Sequence, residues 1–368
     1  MLMEQVTIHV PPRPYHARIE TGSLLRAGEI LAEFLPRASR IFVVTAPPVR
    51  RKWGAKLATS LSASGFKSQV LEMPDGEPAK RLATVEALAA KLAKLRADRQ
   101  TVIVALGGGV VGDVAGLLAS LYMRGVDVIQ VPTTVLAQVD ASVGGKTGVN
   151  LLAGKNLLGT FHHPRFVLID PAVLATLPDR EYRAGLYEAL KCGVIGDPEL
   201  FARFEQNHAK ILKRDPVELE WVIARSVRLK AEVVSADERE NGLRRVLNLG
   251  HTIGHALESE TGYCGLLHGE AVAWGMVAAT HIALAVGRTD SVTAGRIADA
   301  ILSLGKLPAV KVNPRKILAR LQTDKKTRGG AVHFILPRAI GKVDVVNDVP
   351  ERVVLEALEE LRRLSRGV

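Results

Sequence analysis

Residues 101–113 read TVIVALGGGVVGD, and this stretch decides the fold class. A β-branched run that leads directly into glycines predicts a buried strand followed by a tight turn into a helix. Gly107, Gly109 and Gly112 satisfy the spacing G-x-G-x-x-G, which lets the backbone approach a pyrophosphate at the amino terminus of the helix. The same spacing occurs in turns that bind nothing, so alone it leaves nucleotide binding open. Asp113 adds an acid that would hold a ribose or nicotinamide group, or cap the helix.

Strand patterns recur on both sides of this stretch and alternate with helical patterns. The runs typical of buried strands are Arg40–Thr45, Lys67–Glu72, Thr101–Leu106, Val126–Val131 and Arg165–Ile169. The helical stretches between them are Arg50–Ser64, Lys80–Arg96 and Gly112–Leu121. This rhythm predicts a parallel sheet whose strands are joined by crossover helices.

The pattern changes after Pro171. From Arg180 to about Arg320 the spacing of apolar residues is mostly helical. The later elements that we predict are short extended runs at Val332–Leu336 and Lys342–Val346 and a last helix at Glu351–Leu364. We therefore predict an α/β nucleotide-binding domain over residues 1–175 and a mainly α-helical domain over residues 176–368.

The composition limits the classes of protein that the chain can represent. Its 368 residues carry a net charge of +11, which attracts anions, but an aromatic content of 4% and scattered basic residues disfavour a nucleic-acid surface. Two cysteines are too few for a disulfide framework and favour a reducing compartment. The apolar stretch Ala271–Gly287 falls short of the roughly 20 residues that span a bilayer. We expect it to be a buried core helix, in a cytoplasmic protein without a membrane partner.

Four further segments carry candidate ligand-binding residues. Pro74–Lys80 (PDGEPAK) is a turn into a helix whose acids would bind ribose hydroxyls, or form a solvated capping box. Thr133 and Thr134 follow a predicted strand, at the end where parallel sheets bind ligands. Asp140–Asn150 (DASVGGKTGVN) predicts a glycine-rich loop, but Asp140 stands where a P-loop needs glycine, so we predict no ATP site. Lys155 and Asn156, followed by His162 and His163, add donors that suit a ligand with phosphate and carboxylate groups, or belong to a basic surface loop.

The helical half contains candidate metal ligands. His251 and His255 are four residues apart and would share one helix face. His268 and Glu188 lie elsewhere in the same half. Two histidines and a carboxylate with an open position are typical of a catalytic zinc site. Spacing alone favours His251 and His255 as the histidine pair, and the alternative is that both are polar cap or core residues.

Taken together, these segments resemble the 3-dehydroquinate synthase family, a branch of the sugar phosphate cyclases. The matching segments are PDGExxK at 74–80, GGGVVGD at 107–113, YMRG at 122–125, QVPTT at 130–134, LAQVDASVGGKTGVN at 136–150, GKNLLGTFHHP at 154–164, NLGHTIGHALE at 248–258, LLHGEAVAWGM at 266–276 and DKK at 324–326. They follow one another in order over nearly the whole chain. The combination is much more specific than any single segment.

The resemblance implies a set of site residues. The implied metal ligands are Glu188, His251 and His268, with His255 as a substrate-facing neighbour. The implied nucleotide contacts are Asp75, Gly76, Glu77, Lys80, Gly109, Val110, Val111, Gly112, Asp113, Thr133, Thr134, Lys146, Lys155 and Thr176. The implied substrate and catalytic contacts are Arg124, Asp140, Lys146, Asn156, Lys191, Lys230, Arg244, Asn248, His255 and Lys325. Arg245 and Lys326 remain open as alternatives to their neighbours Arg244 and Lys325.

The resemblance also implies a reaction. The family converts 3-deoxy-D-arabino-heptulosonate 7-phosphate, an anionic sugar-acid phosphate, to 3-dehydroquinate by transient oxidation with NAD, phosphate elimination, re-reduction and aldol closure. It implies NAD, one divalent metal ion (zinc or cobalt) and a homodimer. Relatives often carry Asp or Asn for the adenosine ribose where this chain has Ala46, and Tyr187–Gly193 reads YEALKCG where AEVIKYG is more usual.

Three other functions remain as alternatives at this point. A sister sugar phosphate cyclase would act on a substrate without the carboxylate, against which Arg244 and Asn248 argue. A metal-dependent alcohol dehydrogenase of similar fold would not need so many phosphate-binding cations. A non-catalytic basic binding protein would not need the acid, histidine and lysine set.

Overall fold

The computed structural model describes residues 3–36, 40–262, 265–310, 313–327 and 332–367, with the backbone alone for residues 323–327 and 367. The chain divides into two compact units. Unit 1 comprises Met1–Pro178 and Leu219–Ser235, and unit 2 comprises Asp179–Glu218 and Ala236–Val368. The domain boundary predicted between residues 175 and 176 stays a prediction.

Unit 1 contains nine described strands. They are β1 (Glu4–Ile8), β2 (Tyr15–Ile19), β3 (Arg40–Thr45), β4 (Lys67–Glu72), β5 (Val102–Gly107), β6 (Asp127–Pro132), β7 (Lys146–Leu151), β8 (Gly154–Phe161) and β9 (Phe166–Ile169). Seven of them form one sheet in the order β1-β2-β9-β6-β5-β3-β4. The β1–β2 pair is antiparallel and the other pairs are parallel. The predicted α/β class is confirmed.

Helices cover both faces of this sheet. They are α1 (Ala27–Leu31), α2 (Pro47–Val49), α3 (Ala55–Ala63), α4 (Leu82–Lys94) and α5 (Gly109–Leu121). The central part of α8 (Pro216–Ala236) also belongs to unit 1. Successive side chains of a strand point to opposite faces. Phe42 and Val44 of β3 therefore belong to the core on the α4–α5 side, whereas Ile41 and Val43 belong to the core that includes Leu57 of α3.

A β-hairpin replaces part of the predicted glycine-rich loop. Residues 146–150 of that loop belong to β7, which pairs with β8 in an antiparallel two-stranded sheet. Glycine is depleted in strands, so the strand signal of this segment is weak. The close pairing of the two strands requires glycine at position 159, because a Cβ atom there would lie 2.0 Å from the Thr147 carbonyl oxygen. The prediction of a loop over the whole of 140–150 was therefore wrong.

Unit 2 is mainly helical, as predicted. Its helices are α6 (Asp179–Ile195), α7 (Pro198–Leu212), α9 (His251–Glu260), α10 (His268–Ala285), α11 (Ser291–Ser303), α12 (Pro314–Thr327) and α13 (Glu351–Gly367). A two-stranded sheet of β10 (Phe334–Ala339) and β11 (Lys342–Val346) accompanies them. The stretch predicted as a core helix is α10, and most of its residues are buried. Within the described ranges, the helices are all too short or too polar to cross a bilayer.

Candidate active site

The glycine-rich turn of unit 1 lies at the carboxyl end of the sheet. β5 ends at Gly107 and α5 begins at Gly109, with extended Gly108 between them. The next strand, β6, places Thr133 beside this turn, where its backbone N–H donates to the Gly107 carbonyl oxygen at 2.9 Å. The Thr133 hydroxyl is buried and has no hydrogen-bond partner within the described part of the chain. A buried hydroxyl normally pairs, so this geometry suits a bound group at the turn.

Asp113 and Lys80 form an ion pair next to this turn. The Lys80 ammonium lies 2.5 Å from a carboxylate oxygen of Asp113 and donates to the Asn156 side-chain oxygen at 2.5 Å. Burial raises the pKa of the Asp113 carboxyl above its usual value, although the Lys80 charge acts in the opposite direction. Asp113 lies inside α5, whose N-cap residue is Gly108. Of the two roles considered for Asp113, the helix cap therefore does not apply.

Asn150, which the sequence analysis did not assign, joins several of these residues. Its side-chain amide donates to the Glu77 carboxylate at 2.7 Å, and its side-chain oxygen accepts from the Asn156 backbone N–H at 2.9 Å. Its own backbone N–H donates to the Lys80 carbonyl oxygen at 2.8 Å. Asn156 has a positive φ of 55°. Asn150 therefore holds the backbone of Lys80 and Asn156 and the side chain of Glu77, which are three of the predicted contacts.

The other predicted residues of unit 1 are placed as follows. Val110, Val111 and Gly112 lie in the first turn of α5, and Thr134 accepts a hydrogen bond from the Ala137 backbone N–H. Asp75 and Gly76 form the exposed turn after β4, Lys146 begins β7, and Lys155 lies half-buried in β8. Thr176 accepts a hydrogen bond from the Trp53 indole at 3.0 Å. Arg124 is exposed at a tight turn with φ of 66°.

Asp140 and Lys230 form a second ion pair within unit 1. The Lys230 ammonium lies 2.6 Å from an Asp140 carboxylate oxygen and also contacts the Asp140 carbonyl oxygen. Lys230 is buried on α8, and Asp140 lies in a single π-helical turn, Ala137–Ala141. Such turns are common at functional sites. The pair joins two predicted substrate contacts that are ninety residues apart in sequence.

In unit 2, the close packing of α9 and α10 positions two histidines. A Cβ atom at Gly275 of α10 would lie 1.9 Å from the Gly250 carbonyl oxygen, so only glycine allows this approach. Gly250 itself has φ of 79°, a conformation that glycine adopts without strain. His251 follows it as the first residue of α9, and His268 is the first residue of α10.

These histidines converge on Glu188 of α6. The Nε2 atoms of His251 and His268 lie 3.8 and 3.6 Å from the same Glu188 carboxylate oxygen. Glu188 is 1% exposed. Neither of its oxygens accepts a hydrogen bond from the described residues, although the Lys191 ammonium is in ion-pair contact with one of them. Two imidazole nitrogens and a buried carboxylate are a donor set that fits a divalent ion such as zinc.

The other ring nitrogen of each histidine has an oxygen acceptor. Nδ1 of His251 lies 3.1 Å from the Leu249 carbonyl oxygen, and Nδ1 of His268 lies 3.2 Å from the Glu258 carboxylate. Burial, together with the Lys191 charge, lowers the pKa of His251 well below its usual value. Burial also acts to lower the pKa of His268, but the Glu258 hydrogen bond and the Glu188 charge outweigh it and raise that pKa.

His255 is exposed beside this cluster. Its ring centroid lies 5.2 Å from that of His251 and 5.8 Å from that of His268. It also forms an alternative three-ligand group with Glu258 and His268. His251 and His255, the pair that spacing favoured, therefore lie side by side. Which of the three histidines bind a metal ion stays a prediction.

The remaining predicted residues of unit 2 belong to the segment before α9, to α6 and to α12. Buried Arg244 contacts the Glu238 carbonyl oxygen, and its backbone N–H donates to Asp237. The Asn248 amide donates to the Glu240 carboxylate at 2.5 Å. Lys191 lies one turn along α6 from Glu188. The side chains of Lys325 and its alternative Lys326 lie outside the described residues.

Comparisons with known proteins identify the family of this chain. Two family models match consecutive segments, described as 3-dehydroquinate synthase N-terminal over residues 70–184 and 3-dehydroquinate synthase C-terminal over residues 185–327. The 3-dehydroquinate synthase of Koribacter versatilis is 56% identical over 363 residues, which cover 99% of each chain.

Two solved structures are also similar over almost their whole length. A 2-epi-5-epi-valiolone synthase from Streptomyces hygroscopicus subsp. jinggangensis, with NAD⁺ and Zn²⁺ bound, has a TM-score of 0.89 at 33% identity and covers 96% of this chain and 98% of its own. A 2-deoxy-scyllo-inosose synthase, complexed with carbaglucose-6-phosphate, NAD⁺ and Co²⁺, has a TM-score of 0.84 at 28% identity and covers 98% of this chain and 99% of its own. From the two family matches and the full-length identity, the chain belongs to the 3-dehydroquinate synthase family.

Proposed function

We propose that this protein converts 3-deoxy-D-arabino-heptulosonate 7-phosphate to 3-dehydroquinate and phosphate, a step towards aromatic compounds. The observation that carries the proposal is the convergence of Glu188, His251 and His268 in a chain of this family. The rival is a sister cyclase acting on a sugar phosphate without a carboxylate. The identity of 56% to a 3-dehydroquinate synthase, against 33% to a valiolone synthase, favours the first function.

The cofactors we propose are NAD and one divalent metal ion, zinc or cobalt. When bound, NAD supplies reversible hydride transfer and the metal supplies a Lewis acid for hydroxyl and ketone oxygens. Glu188, His251 and His268 would hold the metal. The turn from Gly107 into α5 would hold the dinucleotide, with the Thr133 hydroxyl beside it, which has no hydrogen-bond partner among the described residues.

Cationic and amide side chains suit the anionic groups of the substrate. We assign the phosphate to Lys146, Asn156 and Lys325, and the carboxylate and ring hydroxyls to Lys230, Arg244 and Asn248. Asp140 orients Lys230, and Glu240 orients Asn248. Donors that are held in place before binding need little reorganisation when negative charge develops in the transition state. His255, exposed beside the cluster, is the side chain we assign to proton transfer, because an unperturbed imidazole titrates near neutrality.

Substrate discrimination tests this function against its rival. We expect metal-loaded protein with NAD to release phosphate from the heptulosonate phosphate and to leave a carboxylate-free sugar phosphate unchanged. Arg244→Met should raise KM for the heptulosonate phosphate at least tenfold, the effect of one lost charge-assisted hydrogen bond of about 1.5–3 kcal/mol. Its half-buried neighbour provides the matched variant Arg245→Met, and an equal loss there would move the carboxylate contact to Arg245. Turnover of the carboxylate-free substrate instead would favour the sister cyclase.

We also propose that the protein is a homodimer that pairs through the β7–β8 hairpin. The hairpin exposes several large apolar side chains, among them Leu152 (96% exposed), Leu157 (56%) and Phe161. Exposed apolar patches mark interaction surfaces. A second copy would offer the same patch, as two-fold symmetric dimers require.

The dimer is tested by sedimentation at several protein concentrations. Wild type should sediment as a dimer and Leu157→Glu as a monomer at the same concentration. Val292→Glu, at an exposed apolar position of α11 away from the hairpin in sequence, should remain dimeric. A monomeric wild type would contradict the proposal.

We also propose a cytoplasmic location. It is supported by the two cysteines, which are too few for a disulfide framework.

A further inference from the structure

Glu258 is a buried acid whose position the reaction itself does not explain. It lies in the last turn of α9 and is 2% exposed. A carboxylate oxygen of Glu258 lies 3.2 Å from Nδ1 of His268. Burial of a carboxylate is unfavourable unless it is paired or hydrogen-bonded. The contact with His268 therefore points to a role at that histidine.

The contact determines which nitrogen of His268 is available to bind a ligand. Donation of Nδ1–H to the carboxylate keeps the proton on Nδ1 and leaves the lone pair on Nε2. Nε2 is the atom that lies 3.6 Å from the Glu188 carboxylate. His251 has the same arrangement, with a backbone acceptor, the Leu249 carbonyl oxygen, in place of a side chain. Both rings thus present Nε2 to Glu188 because an oxygen acceptor lies at Nδ1.

We propose that Glu258 is a positioning residue for the metal centre. It fixes the tautomer and the ring orientation of His268 and, as an anion, strengthens Nε2 as a donor. Carboxylates in this position commonly set metal affinity. The inference rests on the proposed function, because it takes Glu188, His251 and His268 as the ligands.

Direct measurement of metal binding tests the role without relying on turnover. Metal-free full-length protein would be titrated with Co²⁺, followed by visible absorption, and with Zn²⁺ in competition with a chelator. Glu258→Gln keeps the size of the side chain and removes its charge. We expect it to bind both ions roughly 10- to 100-fold more weakly, the range typical of outer-shell changes, with shifted Co²⁺ absorption bands.

Matched variants separate positioning from other roles. Glu260→Gln alters another acid of α9, ion-paired with Arg320 near the surface, and should bind both ions as wild type does. Glu188→Gln should abolish binding, because it removes a ligand. If Glu258→Gln fails to fold, Glu258→Asp keeps the charge one methylene away, and an intermediate loss of affinity is expected.

Three outcomes would overturn the inference. Wild-type affinity and absorption bands in Glu258→Gln would show that the carboxylate does not act on the metal. Complete loss of binding in Glu258→Gln, with binding retained in Glu188→Gln, would make Glu258 a ligand in the alternative group with His255 and His268. A wild-type protein that binds neither ion would remove the metal centre of the proposed function itself, and the role of Glu258 with it.

Discussion

Replacement of Gly275 by alanine tests how helix packing builds the histidine cluster. The new Cβ atom would lie 1.9 Å from the Gly250 carbonyl oxygen and 2.7 Å from its carbonyl carbon. These are backbone atoms, so no flexible side chain can give way, and α9 must move from α10 by about 1 Å. Overpacking of this kind costs roughly 1–3 kcal/mol. Alanine's better helix propensity offsets up to about 1 kcal/mol, so we expect a net loss of about 1–2 kcal/mol.

The assay is urea unfolding of the metal-free protein, followed by circular dichroism, together with a Co²⁺ titration. His251 follows Gly250 directly, so a shift of α9 should also weaken metal binding by on the order of tenfold. Gly295→Ala is the matched control, because a Cβ atom on Gly295 of α11 meets no other atom within 4 Å. It should stabilise the protein by about 0.4–1 kcal/mol and leave metal binding unchanged. If Gly275→Ala matched wild type in both stability and affinity, the close approach of the helices would not be what positions the cluster.

Three further predictions address other parts of the molecule. Lys146→Ala should reduce turnover more than a hundredfold, since it removes a cation that we assign to the substrate phosphate. The thermal midpoint should not change, because Lys146 is exposed at the start of the hairpin. Near-normal turnover would exclude Lys146 from the site. Lys80→Met should destabilise the protein by about 3 kcal/mol, because it leaves Asp113 without its buried cation, and should weaken NAD binding in calorimetry; an unaffected NAD affinity would separate this ion pair from the nucleotide. The pKa of Asp237 is about 2, because backbone N–H groups of Arg244 and Gly242 donate to its carboxylate. That contribution to stability is present above the unfolded pKa of about 3.9 and is lost as pH falls towards 2, so the deficit of Asp237→Asn in acid unfolding should shrink over this range; a constant deficit would refute the assignment.

Buried parallel strands were predictable because their signal is local. β3 and β4 have the predicted bounds. β3 is an apolar, β-branched run that is buried from Ile41 to Thr45, as is typical of strands covered on both faces. β4 is a more polar strand at the edge of the sheet. The glycine-rich turn was predicted for the same reason. The β7–β8 hairpin was missed because its glycines serve close strand pairing and give no local β signal.

The candidate site was only partly predictable from the residues. Spacing favoured His251 and His255, which are four positions apart, whereas His268 and Glu188 approach His251 through tertiary packing of three helices. The family resemblance supplied that combination. Neither spacing nor the family resemblance predicted the roles of Glu258 and Asn150. Glu258 contacts His268, ten residues away, and Asn150 contacts Glu77, seventy-three residues away. A buried acid at helical spacing from two histidines, at positions 251, 255 and 258, was the available signal for Glu258.

Phosphate release from 3-deoxy-D-arabino-heptulosonate 7-phosphate, measured with NAD and metal each present or omitted, tests the central claim most directly. The proposed reaction predicts release that requires both NAD and metal, with 3-dehydroquinate formed in equal amount and without net accumulation of NADH. Release that is independent of NAD, or steady accumulation of NADH, would contradict it.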